Sequence, residues 1–424
     1  MFEWYNFISL GFLTRLMTER TKKLFLVGGF ILSVFIIAFV LYTLFFQSAP
    51  PQATVEEEPG ATTGQLPSSI EAEIREREEA GTAQGSGKLD EADEVARGGL
   101  TQTTELTTGA IFNSVLSGEG QTMNYYSAND GRFYTIDENG NVVALSDVQF
   151  PNAENVEWNK DSNKALIEFP DGSNIVYNFD SEKQVTLPSH WEDFDFSPVS
   201  DELIAKSIAL DPSNRYLVVT SDDGSKTTSI QALGENQDKV DVSWSPNDQV
   251  VAFADTSDAI QGGLERNVIY PVGKNKENFK GLVVEGLEFD SQWSPSGRQL
   301  LYSVTGDYSQ NKPLLWIVDA TSSTMGDNRR SLGLNTWVDK CTWSSSSVLF
   351  CAVPLELPPN AGLQRSLYDD EPDALYKLDL SAGTSTLVAI PAEGTTMNHL
   401  QVTDDSSLLY FTNTSGQLEL MKLK

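Results

Sequence analysis

Along most of this chain apolar positions recur in short alternating runs broken by tight polar turns, the period-two pattern of half-buried β-strands. The clearest run is VSWSPNDQVVAFADT at 242–256, and edited copies of it recur. DSQWSPSGRQLLYSV follows at 290–304, ENVEWNKDSNKALIEF precedes at 154–169, and KCTWSSSSVLFCAV lies at 340–353. FDFSPVSDELIAKSI at 194–208, HLQVTDDSSLLYFTN at 399–413 and SVLSGEGQTMNYYSA at 114–128 are weaker copies, which makes seven. Each copy reads as two strands around a turn, because proline presets φ and Asn, Asp or Gly tolerates positive φ. A lone hairpin cannot bury its own apolar face, so a hairpin repeated at intervals implies stacked neighbours.

Leu116, Trp158, Phe196, Trp244, Trp293, Trp343 and Val402 mark the copies, with gaps of 42, 38, 48, 49, 50 and 59 residues. A four-stranded propeller blade has a period of about 40–45 residues. Seven blades within 101–424 have about 46 residues each, against about 54 for six, and predict an all-β, seven-bladed propeller with six or eight blades as alternatives. The expected blades are 110–147, 154–187, 192–233, 240–284, 288–333, 338–390 and 398–423. The last contains only three strands. TQTTELT at 101–107 is expected to supply the missing outer strand and lock the ring, since closure leaves only short, protected sheet edges.

The WSP runs at Trp244 and Trp293, each followed by an Asn, Asp or Gly turn and an apolar strand, resemble the WD40-like repeat of TolB-type bacterial β-propellers. The resemblance covers roughly 105–424 and implies the bladed fold, not a ligand. Blades 1 and 7 depart from it with Leu116 and Val402 in place of the aromatic, and TolB-type propellers have six blades.

Ahead of the repeats the pattern changes. Residues 24–46, LFLVGGFILSVFIIAFVLYTLFF, carry no charge and are long enough for an α-helix to cross a hydrocarbon core of about 30 Å. Arg15, Arg20, Lys22 and Lys23 precede this stretch, and no Lys or Arg follows until Arg75, so the positive-inside rule predicts a cytoplasmic 1–23. A single-pass signal-anchor in the cell membrane would then hold everything after it outside the cytoplasm. Residues 47–100 have the Pro, Gly, Thr and acid content of a tether, with a short solvated helix expected in SSIEAEIREREEA from Ser68. GTAQGSGKLDE is not a phosphate loop: Leu89 stands where Ser or Thr is required, and no strand precedes it.

Sixty acidic against 29 basic residues give a formal charge of −31, which repels phosphate backbones and argues against a nucleic-acid partner. The two histidines, His190 and His399, fall in different blades and exclude a multi-histidine zinc site. Cys341 and Cys351 flank the blade 6 turn at opposed strand positions, and a disulfide between them is expected in an oxidising exterior.

Two groups of residues are candidates for function. The connections between second and third strands are expected to be tight in blades 1–3 but long in blade 4 (256–266), blade 5 (305–312) and blade 6 (354–372). Long loops on a rigid scaffold are where binding resides, and Arg266, Tyr308, Lys312, Arg365, Tyr368, Asp369 and Asp370 mix aromatics with both charges. The competing reading is a set of solvated excursions. Asp193, Asp241 and Asp290 each stand three residues before a marker aromatic, with Asp339 nearby, and are expected at one mouth of the central channel. Such carboxylates can hold a hard cation such as calcium, or simply cap turns at blade junctions.

No GxSxG elbow is present, and Ser309 to Lys312 matches SxxK by spacing alone. The expectation is therefore a membrane-anchored, non-enzymatic binding scaffold with no cofactor and an envelope protein or polysaccharide as partner. The alternatives are a metal-dependent hydrolase or lyase at the channel carboxylates, and a structural part of an envelope or secretion complex.

Overall fold

The computed structural model describes residues 32–33, 91–118, 120–256 and 266–424. The expected cytoplasmic segment at 1–23, the expected span at 24–46 except residues 32–33, and residues 47–90 of the tether read at 47–100 fall outside these. Among the described residues no helix is long and apolar enough to cross a membrane.

Seven antiparallel sheets follow one another along the chain, and their limits lie close to the expected blades. Blade 1 runs from its innermost strand Ile111–Leu116 to its outer strand Val142–Ala144, and blade 2 from Asn155–Trp158 to Lys183–Leu187. Blade 3 runs from Trp191–Phe196 to Thr227–Ala232, blade 4 from Val240–Val242 to Leu282–Glu285, and blade 5 from Leu287–Trp293 to Arg330–Ser331. Blade 6 begins with Cys341–Ser345 and blade 7 with Asn398–Val402. Among the described residues from 91 onward, helix amounts to six 3-10 turns of three residues each.

Burial explains the ring. Seven apolar layers each join two consecutive blades. Phe133 and Tyr126 of blade 1 meet Val156 and Ala165 of blade 2. Phe253 and Ile269 of blade 4 meet Trp293 and Tyr302 of blade 5. The seventh layer closes the circle, with Leu408, Tyr410 and Leu420 of blade 7 packed on Ile111 and Met123 of blade 1. No blade has a core of its own, so each is stable only between two neighbours. The marker aromatics lie in or beside these layers and also bond across the gaps: the Trp158 indole N–H donates to the Asn113 carbonyl at 2.6 Å, and that of Trp293 to Ser243 Oγ at 3.0 Å.

Thr104–Glu105 pairs with Leu418–Lys422 as the fourth strand of blade 7, within the segment expected to close the ring. Leu106 N–H and the Leu418 carbonyl extend the pairing at 2.8 Å. The same strap does more than was expected of it. Gly99–Thr101 runs parallel to Thr384–Pro391 as a fifth strand on blade 6, and Thr101 is fully buried. The Ala96 N–H donates to the Lys422 carbonyl at 2.9 Å. The chain thus joins the propeller near residue 93, within the stretch read as tether, and one segment clamps the outer edges of blades 6 and 7.

Cys341 and Cys351 are bonded to each other, as direct cross-strand partners with Cα atoms 4.0 Å apart. Both are buried in the layer between blades 5 and 6.

Candidate binding face and channel mouth

Because strands alternate in direction, the connections from second to third strand and from blade to blade share one face of the disc. The elaboration expected on that face is present in blades 5 and 6, and the blade 4 connection expected at 256–266 lies, at 257–265, outside the described residues. Blade 3, expected to be tight, also carries an eight-residue connection between Glu202–Ser207 and Tyr216–Ser221. Asp211 caps its 3-10 turn by accepting from Ser213 N–H at 2.9 Å, which leaves Leu210 fully exposed. Its sequence, IALDPSNR, carries the Asp-Pro-Ser signal of an ordered turn, so the length was legible.

The connections of blades 5 and 6 are laced together. Asn360 and Gly362 N–H groups donate to the Gln310 and Asn311 carbonyls at 2.8 and 2.9 Å, and Asn311 Nδ2 donates to Asn360 Oδ1 at 2.9 Å. Gly362 is required there, because a Cβ would lie 2.3 Å from Thr305 Oγ1 and 2.9 Å from the Asn311 carbonyl. Gln310 and Asn311 both take left-handed φ, at 58° and 55°. A loop built this way is ordered by its own backbone, and its exposed side chains are held in place rather than free to collapse.

Three large apolar side chains stand among the polar ones exposed on this loop pair. Leu363 and Leu367 of blade 6 are 44% and 68% exposed, and Tyr308 of blade 5 is 49% exposed. The Tyr308 hydroxyl donates to the Glu285 carbonyl at 2.6 Å, and its ring meets Trp316 edge-on. Arg365 pairs with Asp339, lies 3.5 Å from Asp369 and stacks over Trp337 at 5.0 Å. Asp369 and Asp370 are exposed beside it. Tyr368 instead packs inward against Trp337, Leu357 and Ala361. Arg266 stands at the outer rim, paired with Glu285, away from the Arg365 group. Ser309 Oγ donates to the Lys312 carbonyl at 2.6 Å, so its hydroxyl serves the turn and the SxxK spacing has no chemical meaning here.

The aspartates at the blade entrances stand on successive innermost strands and interact across blades without converging. Asp193 has a left-handed φ of 51° at a β-bulge and pairs with Lys206, whose side chain is almost fully buried. Burial holds the Asp241 carboxyl above the usual range, with the Lys206 ammonium opposing and the Asp193 and Asp255 charges reinforcing. Asp290 is pushed up to about 6, first by the surrounding protein and then by Asp339. Asp339 is held by Arg365, and Lys340, which takes the repeat position of these aspartates in blade 6, forms a buried pair with Asp373 at 2.6 Å. Among the described residues no three His, Cys, Asp or Glu side chains come together to hold a metal ion.

Two further carboxyls with raised pKa values lie one position before the marker aromatics of blades 2 and 3. Burial and the neighbouring Asp195 push Glu157 up to about 7, and burial pushes Asp195 up to about 6 although it accepts the Trp244 N–H at 2.7 Å. The repeat offered the signal: VEW and FDF place acids where other blades have Ser243, Gln292, Thr342 and Gln401. Carboxyls with raised pKa values are candidates for general acid and base work.

No family model matches the chain, and no curated protein matches it. Solved structures do resemble it. An oligogalacturonate lyase in complex with manganese superposes with a TM-score of 0.53 at 16% identity, over 76% of this chain and 93% of that one. The oligogalacturonate lyase of Vibrio parahaemolyticus gives 0.52 at 12% identity over the same shares. At these identities the likeness is one of fold, a β-propeller.

Proposed function

We propose that this chain is a membrane-anchored, extracytoplasmic propeller of the TolB-like kind that binds a protein of the cell envelope through the face formed by the connections of blades 3, 5 and 6. The observation that carries this reading is the blade 5 and 6 loop pair, whose backbone is interlaced while Leu363 and Leu367 stay exposed on the Arg365 segment and Tyr308 stays exposed beside Glu285. Exposed apolar residues on a preorganised loop, rimmed by both charges, have the composition of an interface core with a polar border. The uncharged 24–46 stretch and the basic residues ahead of it support the anchor and its orientation. A Leu363→Asp/Leu367→Asp variant in native cells should lose its partner in affinity purification by tenfold or more, at an unchanged melting temperature. Retention of the full partner set would refute the face. The alternative of a structural part of a larger envelope complex uses the same face and differs in giving constant stoichiometry on purification.

A second reading is favoured by Glu157 and Asp195. Two carboxyls with raised pKa values on neighbouring innermost strands are suited to general acid and base work on an acidic oligosaccharide, and the lyases that share this fold are named for one. Incubation with oligogalacturonate, with and without manganese, should yield cleavage that is lost in Glu157→Gln. Absence of turnover with the wild-type chain would remove this reading for that substrate.

A further inference from the structure

We infer that the outer rim between blades 4 and 5 carries a binding site for a small oxyanion-bearing ligand, a carboxylate or phosphate joined to a compact apolar body. The site uses neither the Arg365 loop group nor the innermost-strand carboxyls, and it borders the loop face at Tyr308, whose hydroxyl donates to the Glu285 carbonyl at 2.6 Å. An open groove of about 380 Å³ runs between Leu282–Glu285, the outer strand of blade 4, and the connection that precedes Arg330–Ser331 in blade 5. Its size lies within the usual range for small-molecule sites, about 300–1,000 Å³.

Three cations line the groove, Arg266, Lys280 and Arg329, in a chain whose formal charge is −31. Their partners leave donors to spare. Arg266 pairs with Glu285, and Arg329 stands 3.9 Å from the same carboxylate, so one acid is shared by two guanidinium groups. The Arg266 Nε is buried and has no hydrogen-bond partner. Arg329 is held in place by stacking over Trp316 at 5.5 Å and by donating to the Val283 carbonyl at 3.0 Å. Lys280 contacts Asp327 at 2.7 Å, with both side chains about half exposed. Among the described residues, two acids against three bases leave one net positive charge, and guanidinium forks suit the planar or tetrahedral oxygens of carboxylate and phosphate.

The apolar part of the ligand is specified by what lies between the cations. Val283, which is 37% exposed, supplies aliphatic contact, while Met325 is fully buried in the layer between the two blades. Gly281 and Gly326 keep the floor low: a Cβ at Gly281 would lie 2.3 Å from the Val268 side chain, and Gly326 takes a φ of 81° that favours glycine. A long polyanion is disfavoured, because the acidic surface beyond the groove repels it while a compact ligand feels mainly the local bases.

Isothermal titration of the full-length chain with phenyl phosphate and with benzoate, against neutral benzyl alcohol, tests the site. At least one anion should bind at micromolar to low millimolar concentration, weaken as salt is raised, and outcompete benzyl alcohol; whichever anion binds more tightly identifies the oxyanion. Lys280→Gln, at an exposed position that does not endanger the fold, should weaken binding about 3- to 10-fold, and a Lys280→Gln/Arg329→Gln variant more than about 10-fold. Lys183→Gln, on another blade, should change nothing. Absence of binding by both anions at millimolar concentration, or affinities unaltered in the Lys280 variant, would overturn the inference.

Discussion

At the scale of single residues the two carboxyls of the innermost strands make the sharpest demand on solution behaviour. Glu157 has a folded-state pKa of about 7 against an ordinary 4.5, so the native state holds this proton more tightly than the unfolded chain does. Its contribution to stability is therefore present at low pH and is lost as pH rises from the ordinary value through about 7. Glu157→Gln keeps the neutral shape and removes the penalty of ionisation. Thermal melts should show the variant more stable than wild type at pH 8, on the order of 1–2 kcal/mol after discounting for partial exposure, with most of the gain gone at pH 4.5. A constant difference across that range would show that Glu157 titrates normally. Residues such as these were only half legible beforehand. The marker aromatics stood out because they are large and regularly spaced, and the aspartates of blades 3, 4 and 5 stood out by their offset from them. Whether a carboxyl is solvated or enclosed depends on which neighbour the ring brings to it, as the Trp244 N–H of blade 4 comes to Asp195 of blade 3. That information is absent from any single repeat.

At the scale of elements, hairpins were legible and edges were not. A hairpin is specified locally, by a Ser-Pro, Asn-Gly or Asp-Gly turn between alternating strands. The opposed cysteines could be placed by the same local logic, and they are bonded. The strap between residues 93 and 105 has no such pattern: GLTQTTE is polar, and its pairing with blades 6 and 7 joins residues about 290 to 320 positions apart. Only the incompleteness of blade 7 betrayed half of it. Because the strap joins two blades, its removal should open the ring rather than fray one edge. Deleting 101–107 is expected to lower the melting temperature by at least about 5 °C, whereas deleting 50–90 should leave it nearly unchanged. Equal melting temperatures for the two deletions, read by calorimetry, would contradict closure by this segment.

At the scale of the whole molecule, seven blades follow from seven interfaces, each with its own apolar layer. The repeat count in the sequence predicted this because every copy presents an unsatisfied apolar side to both neighbours. The ring then does for function what no blade does alone, by gathering ordered connections from blades 3, 5 and 6 on one face and basic residues from blades 4 and 5 on the rim. Length alone located the blade 5 and 6 loops in the sequence, but not their mutual hydrogen bonds or the inward turn of Tyr368, which depend on the two blades being adjacent. The central claim is that this face, and not the opposite one, meets a partner in the envelope. Site-specific photo-crosslinking in intact native cells tests it most directly, with the reactive group at Leu210 or Leu367 on the loop face and at Asn139 or Ser296 on the other. The expected result is a discrete crosslinked species from Leu210 and Leu367 alone; crosslinks only from Asn139 and Ser296, or from none of the four, would contradict it.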